Sequence, residues 1–171
     1  GHPNAGSKFP APVGLISSTD NGKSWNLISL QGKVDFHMLE VSGKEIYGAD
    51  SQSGNLMYSS DSGKKWVSLG AAKYQDIAMS SPKIAFAVLG KKIVMTKNAF
   101  KSTTEIKTDF DAQTVETIDS GLYASSGKTL YHTSDLGKKW VAVSTFKDQI
   151  SVVTASSKSI VVVAGPSILI S

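Results

Sequence analysis

The sequence predicts an all-β repeat fold, built from units of four short antiparallel strands. Three observations predict it. A short box recurs as "SSTDNGKSW" at 17–25, "SSDSGKKW" at 59–66 and "HTSDLGKKW" at 132–140. Its aspartates, Asp20, Asp61 and Asp135, are separated by 41 and 74 residues, and 74 is twice 37. Between boxes lie runs of β-branched and aromatic residues, cut by turn signals and almost free of helical periodicity. Four strands in roughly 40 residues, repeated, form the blade of a β-propeller. A β-sandwich also has evenly spaced strands, but it requires no self-similarity at this period.

The elements follow in chain order. The opening "GHPNAGSKFPAP" is polar and rich in Gly and Pro. Residues 1–31 supply the second half of a blade, with strands over 13–18 and 25–30 around the first box. Residues 32–70 read as a full blade: "FHMLEVS", turn "GK", "EIYGA", turn "DSQSG", "NLMYSS", box, "WVSL". Residues 71–108 give "QDIAMS", "KIAFAVL", "KIVMT" and "TEIKT". The spacing places a worn box near position 98. There "MTKNAFKST" sets Asn98 at the aspartate position after Thr96, with glycine and tryptophan lost. Residues 109–145 repeat the full pattern as "VETID", turn "SG", "LYASS", turn "GK", "TLYHTS", box, "WVAVS". Residues 146–171 hold the first three strands of a further blade, ending on "SILIS", which matches the strand leading into each box.

A fifth box is therefore expected to begin at Ser171. The first unit supplies a third and a fourth strand, and the last supplies its first three. Closing these ends on each other leaves a third strand over. The chain is thus expected to be a partial propeller, the C-terminal half of a larger one. The remaining blades would come from another chain, a precursor half or self-association.

Each fixed position of the box has a local physical task. Ser18, Ser59 and Thr133 can tie the strand end to the loop. Asp20, Asp61 and Asp135 can accept hydrogen bonds from backbone N–H groups of the turn. Gly22, Gly63 and Gly137 can take a positive φ. Trp25, Trp66 and Trp140 are expected to start the fourth strand and to pack a large apolar plate between strands or blades, with one N–H to satisfy. None of these tasks needs a substrate.

Composition excludes several functions. The chain has 171 residues, in the range of one domain, and no cysteine, so disulfides and thiolate chemistry are absent. All 18 basic residues are lysines; there is no arginine. Arginine is the planar clamp for phosphate, carboxylate and guanine, and no lysine cluster here exceeds a pair, so nucleic acid is not an expected partner. No apolar run approaches the ~20 residues that cross a bilayer, and no signal-peptide pattern is present.

The boxes resemble the Asp-box (BNR) repeat, Ser/Thr-x-Asp-x-Gly-x-x-Trp, of sialidases and sortilin-type propellers. "GHP", "DFHMLE" and "YGADSQSGNLMYSSDSGKKW" bring the chain nearer to bacterial exported propellers labelled glycosyl hydrolase or exo-sialidase. The resemblance implies rim placement for the boxes, an exported location with the signal peptide outside this chain, and blades preceding the Gly-His-Pro segment. It also offers sialidase chemistry, which needs three arginines around the substrate carboxylate. This chain cannot build that clamp, and lysine is no equivalent fork.

Functional residues are expected on the first strand after a box, which lines the central channel of a propeller. In "VDFHMLE", Asp35 and His37 alternate onto one face, with Phe36 and Met38 on the other. His2 and Asp50 are expected in loops near the same channel mouth. Two imidazoles and two carboxylates can bind a polar ligand or a divalent metal, the one cofactor candidate. They also suit a hydrogen-bonded wall of a water-filled channel. The expected function is a non-catalytic binding or scaffold module for a protein or glycan. The alternatives are a glycosyl-hydrolase-like enzyme completed by further blades, and a metal-binding propeller.

Overall fold

The structure is a computed structural model that describes residues 2–119, 121–156 and 159–170. Expectations resting on Gly1, Ser120 and Ser171 lie outside the described residues. These form strands and turns only, with no helix among them. No helix of the described residues is therefore long and apolar enough to cross a membrane. The strands are antiparallel meanders, the blades of a β-propeller. The chain divides into two compact units, residues 1–73 and 74–171.

The first unit holds a two-stranded sheet, β1 (Leu15–Ser17) and β2 (Asn26–Ser29). It also holds a four-stranded blade: β3 (Phe36–Ser42), β4 (Glu45–Asp50), β5 (Asn55–Ser59) and β6 (Val67–Ala71). Its core joins Leu15, Val34, Phe36 and Ile46, with Leu30, Met57 and Trp66 packed against them. Gly48 is bare because a Cβ there would come within 2.5 Å of the Phe36 ring.

The second unit holds two full blades and a three-stranded sheet. The first blade is β7 (Asp76–Ser81), β8 (Ile84–Leu89), β9 (Lys92–Thr96) and β10 (Thr104–Ile106). The second is β11 (Thr114–Ile118), β12 (Gly121–Ser126), β13 (Thr129–Thr133) and β14 (Val141–Thr145). The last sheet is β15 (Ile150–Ser156), β16 (Ser159–Ala164) and β17 (Ser167–Ile170). The first strands β7, β11 and β15 neighbour one another in that order. Middle strand β8, "IAFAVL", is a continuous apolar run because both its faces are covered. Outer strand β14 is exposed along its whole length.

The strands are shorter than the sequence suggests. β1 and β2 cover Leu15–Ser17 and Asn26–Ser29 rather than 13–18 and 25–30. The tryptophans do not start the fourth strands: β2, β6 and β14 begin one residue later. Each indole belongs to the turn.

Candidate functional site

Asp35 immediately precedes β3 and is 3% exposed. Its backbone N–H donates to Asp50 Oδ1 at 2.9 Å. Asp50 ends β4 rather than lying in the loop after it. Its carboxylate also accepts from the N–H groups of Gln52 and Ser53, both at 3.1 Å, and from Ser53 Oγ at 2.6 Å. Burial pushes the Asp50 carboxyl up, but the Ser53 hydroxyl and these three N–H groups outweigh it and hold the acid below its ordinary range.

The Asp35 carboxylate has a different set of partners. Its Oδ2 accepts from Ser51 Oγ at 3.1 Å and faces His37 Nε2 at 3.2 Å and His2 Nε2 at 3.6 Å. The expected alternation of Asp35 and His37 is interrupted by a register shift between Phe36 and Met38. The His37 ring nevertheless reaches Asp35. The four candidates from the sequence therefore converge, with Ser51 and Ser53 added. The carboxylate is buried, while the His2 and His37 side chains are 66% and 65% exposed. Both rings turn Nε2 to Asp35, so hydrogen bonding to a ligand falls to Nδ1. Among the described residues no group of three or more His, Cys, Asp or Glu side chains is disposed to hold a metal ion.

A second group was missed in the sequence. Asp76 opens β7, and its Oδ2 accepts from the Val115 N–H of β11 at 2.9 Å. Glu116 on β11 accepts in turn from Thr154 and Ala155 on β15. Thr117 Oγ1 donates back to the Met79 carbonyl at 2.8 Å. These side chains stitch the first strands of successive sheets, whose inner edges have no ladder partner. Burial raises both carboxyls above their usual range, and the Asp76 charge adds to the effect on Glu116. The signal was available. Asp76 lies 41 residues after Asp35, the box interval, and "DIAM" repeats the frame of "DFHM".

The boxes share one hydrogen-bond scheme. Ser59 Oγ donates to Asp61 Oδ1 at 3.0 Å and accepts from the Gly63 N–H at 2.9 Å, while Asp61 Oδ1 accepts from the Lys65 N–H at 2.8 Å. Ser18 and Asp20 do the same for Gly22 and Ser24, and Thr133 and Asp135 for Gly137 and Lys139. The worn copy keeps the scheme. Thr96 Oγ1 accepts from the Phe100 N–H at 3.0 Å, and Asn98 Oδ1 from the Ser102 N–H at 3.0 Å. Phe100 holds φ = 58° where the others place glycine.

The tryptophans differ. Trp66 Nε1 donates to the Gly63 carbonyl at 2.9 Å and to Ser29 Oγ at 3.0 Å, and its ring lies 4.9 Å from Phe36. Trp140 meets Phe110 edge-on at 5.4 Å, and its N–H has no hydrogen-bond partner. Trp25 donates to the Gly22 carbonyl and is 47% exposed.

No protein-family model matches this chain, and no curated protein matches it either. Solved structures do. A structure described as YCF48 bound to D1 peptide superposes with a TM-score of 0.59 at 17% identity, over 91% of this chain and 56% of that one. YCF48 from Cyanidioschyzon merolae gives 0.57 at 16% identity, over 87% and 56%. An ancestral GH74 enzyme gives 0.59 at 10% identity, over 84% and 23%. The chain thus spans 56% of the length of the YCF48 chains. At these identities the likeness shows the fold, a β-propeller.

Proposed function

We propose that this chain is a non-catalytic binding module of a larger, exported Asp-box propeller, and that it takes an extended protein segment at its His2–Asp35–His37 face. The carrying observation is the pair of exposed imidazoles held by one buried carboxylate. It presents two oriented hydrogen-bonding groups on one exposed face. The YCF48 structure with a bound peptide supports a peptide as the ligand class. The shared hydrogen-bond scheme of the boxes supports the Asp-box reading, and a glycan is the next ligand class to test. Screening of a peptide array with the purified protein tests the proposal. Bound peptides should lose at least tenfold in affinity when His2 and His37 are both replaced by alanine, with the circular dichroism unchanged. Equal binding by the double variant would remove this face as the site.

Asp76 and Glu116 favour a second reading, a glycosyl-hydrolase-like enzyme completed by further blades. A buried carboxyl held above its usual range, with a second carboxyl close enough to influence it, offers the general acid that such chemistry uses. Turnover in a glycoside panel, abolished by Asp76→Asn or by Glu116→Gln, would put this reading first.

A further inference from the structure

An apolar groove of about 390 Å³ opens between the second blade and the last sheet of the second unit, lined by Leu130, Ser144, Phe146, Val162, Leu169 and Ile170 among others. Its floor combines two repeat positions that elsewhere in the chain receive a box glycine and a box tryptophan.

Leu15 and Leu130 stand at the same repeat position, each three residues before the box hydroxyl of Ser18 or Thr133. Leu15 pairs with Ser29 across its sheet, and Leu130 pairs with Ser144. In the first unit that pair is covered by the next box. Gly63 lies against Leu15 so closely that a Cβ would overlap it, and Ser29 Oγ donates to the Gly63 carbonyl and accepts from Trp66 Nε1. Phe146 likewise repeats Phe110, each four residues before the start of a first strand, at Ile150 or Thr114. Phe110 takes Trp140 edge-on and stacks on Tyr131 at 4.0 Å. Leu169 of β17 stands where Tyr131 stands in β13, and it lines the groove beside Phe146.

Ser144, Leu130 and Phe146 therefore form a seat for a glycine carbonyl and an indole. The neighbouring edge strand β17 carries Ile168, Leu169 and Ile170 at 69%, 43% and 72% exposure, with no charged residue to discourage pairing. We propose that this groove receives the Asp-x-Gly-x-x-Trp turn and following strand of a further repeat of the same propeller, the strand pairing antiparallel with β17. It continues the series of sheet-to-sheet contacts made by Gly63 and Trp66, and by Gly137 and Trp140. The inference rests on the reading of the chain as one part of a larger propeller.

The test adds a synthetic peptide copying residues 134–145 to the 171-residue chain. The expected result is saturable binding with slowed amide exchange in β17. Binding should fall at least tenfold for the peptide carrying Trp140→Ala, and for the protein carrying Phe146→Ala. Ile170→Lys, at a 72% exposed position where folding is not at stake, should abolish it. No binding at millimolar peptide overturns the proposal. So does binding indifferent to Trp140→Ala or Ile170→Lys, or exchange protection confined to strands that do not line the groove. Native mass spectrometry tests the underlying reading separately: this chain alone removes the larger propeller and with it the native occupant, whereas failure of the peptide removes the groove and leaves the larger propeller.

Discussion

The indole N–H of Trp66 donates to Ser29 Oγ at 3.0 Å, across 37 residues of sequence. The same hydroxyl donates to the Gly63 carbonyl, so one serine fastens a box turn to the preceding sheet. Ser29→Ala should cost about 1–2 kcal/mol, since two modest hydrogen bonds go together. Urea denaturation checks it. Trp66→Phe should be less costly in the Ser29→Ala background than alone, because the shared bond is already gone. At the third box Ile106 lies beneath Gly137 as Leu15 lies beneath Gly63, and the Trp140 N–H has no hydrogen-bond partner.

Gly63 and Gly137 carry two constraints at once. Their φ values are 79° and 90°, and a Cβ would overlap Leu15 or Ile106. Gly90, at φ = 64°, has nothing within 4 Å of its missing Cβ. Gly90→Ala should cost about 1 kcal/mol, for backbone strain alone. Gly63→Ala and Gly137→Ala should each cost about 2–4 kcal/mol, strain plus overpacking. Thermal unfolding of the three variants gives the order; equal shifts would mean that the contact with the neighbouring sheet carries no energy.

The worn box gives a test of chemistry against charge. Asn98 Oδ1 accepts from the Ser102 N–H and from Thr96 Oγ1. Aspartate can do both, so Asn98→Asp should change stability by less than about 0.5 kcal/mol, whereas Asn98→Ala should cost about 1–2 kcal/mol. A large loss in Asn98→Asp would show that the amide donor, not the acceptor, holds this turn.

Opposite pKa shifts predict a two-sided pH profile. Turn hydrogen bonds hold the box acids low, led by the Ser24 hydroxyl for Asp20, at about 2, the Lys65 N–H for Asp61 and the Thr133 hydroxyl for Asp135. Their contribution is present above the unfolded value near 4 and disappears as pH falls through the folded values. Burial raises Asp76 and Glu116, so their contribution is present below the unfolded value and disappears as pH rises through the folded one. Asp76→Asn keeps an acceptor for the Val115 N–H and removes the charge. Relative to the parent it should gain stability at pH 8 and little or nothing at pH 4, read from urea curves at both values. The reverse order would contradict the burial of Asp76.

What the sequence determined by itself was local. Each box is closed by hydrogen bonds spanning two to four residues, as from Ser59 to Asp61 and Gly63. Residue type and spacing therefore located the turns, including the worn one at Asn98, and the alternating runs between them located the strands. Convergence at a distance was decided only by the tertiary structure. Asp76 meets Val115 across 39 residues, and His2 meets Asp35 from a segment with no strand pattern. The three tryptophans occupy identical places in the motif, yet Trp66 is packed, Trp140 lacks an acceptor and Trp25 is half exposed. A turn forms from its own residues, but the surface that covers it belongs to another sheet, and no spacing within the motif encodes which residue that sheet presents.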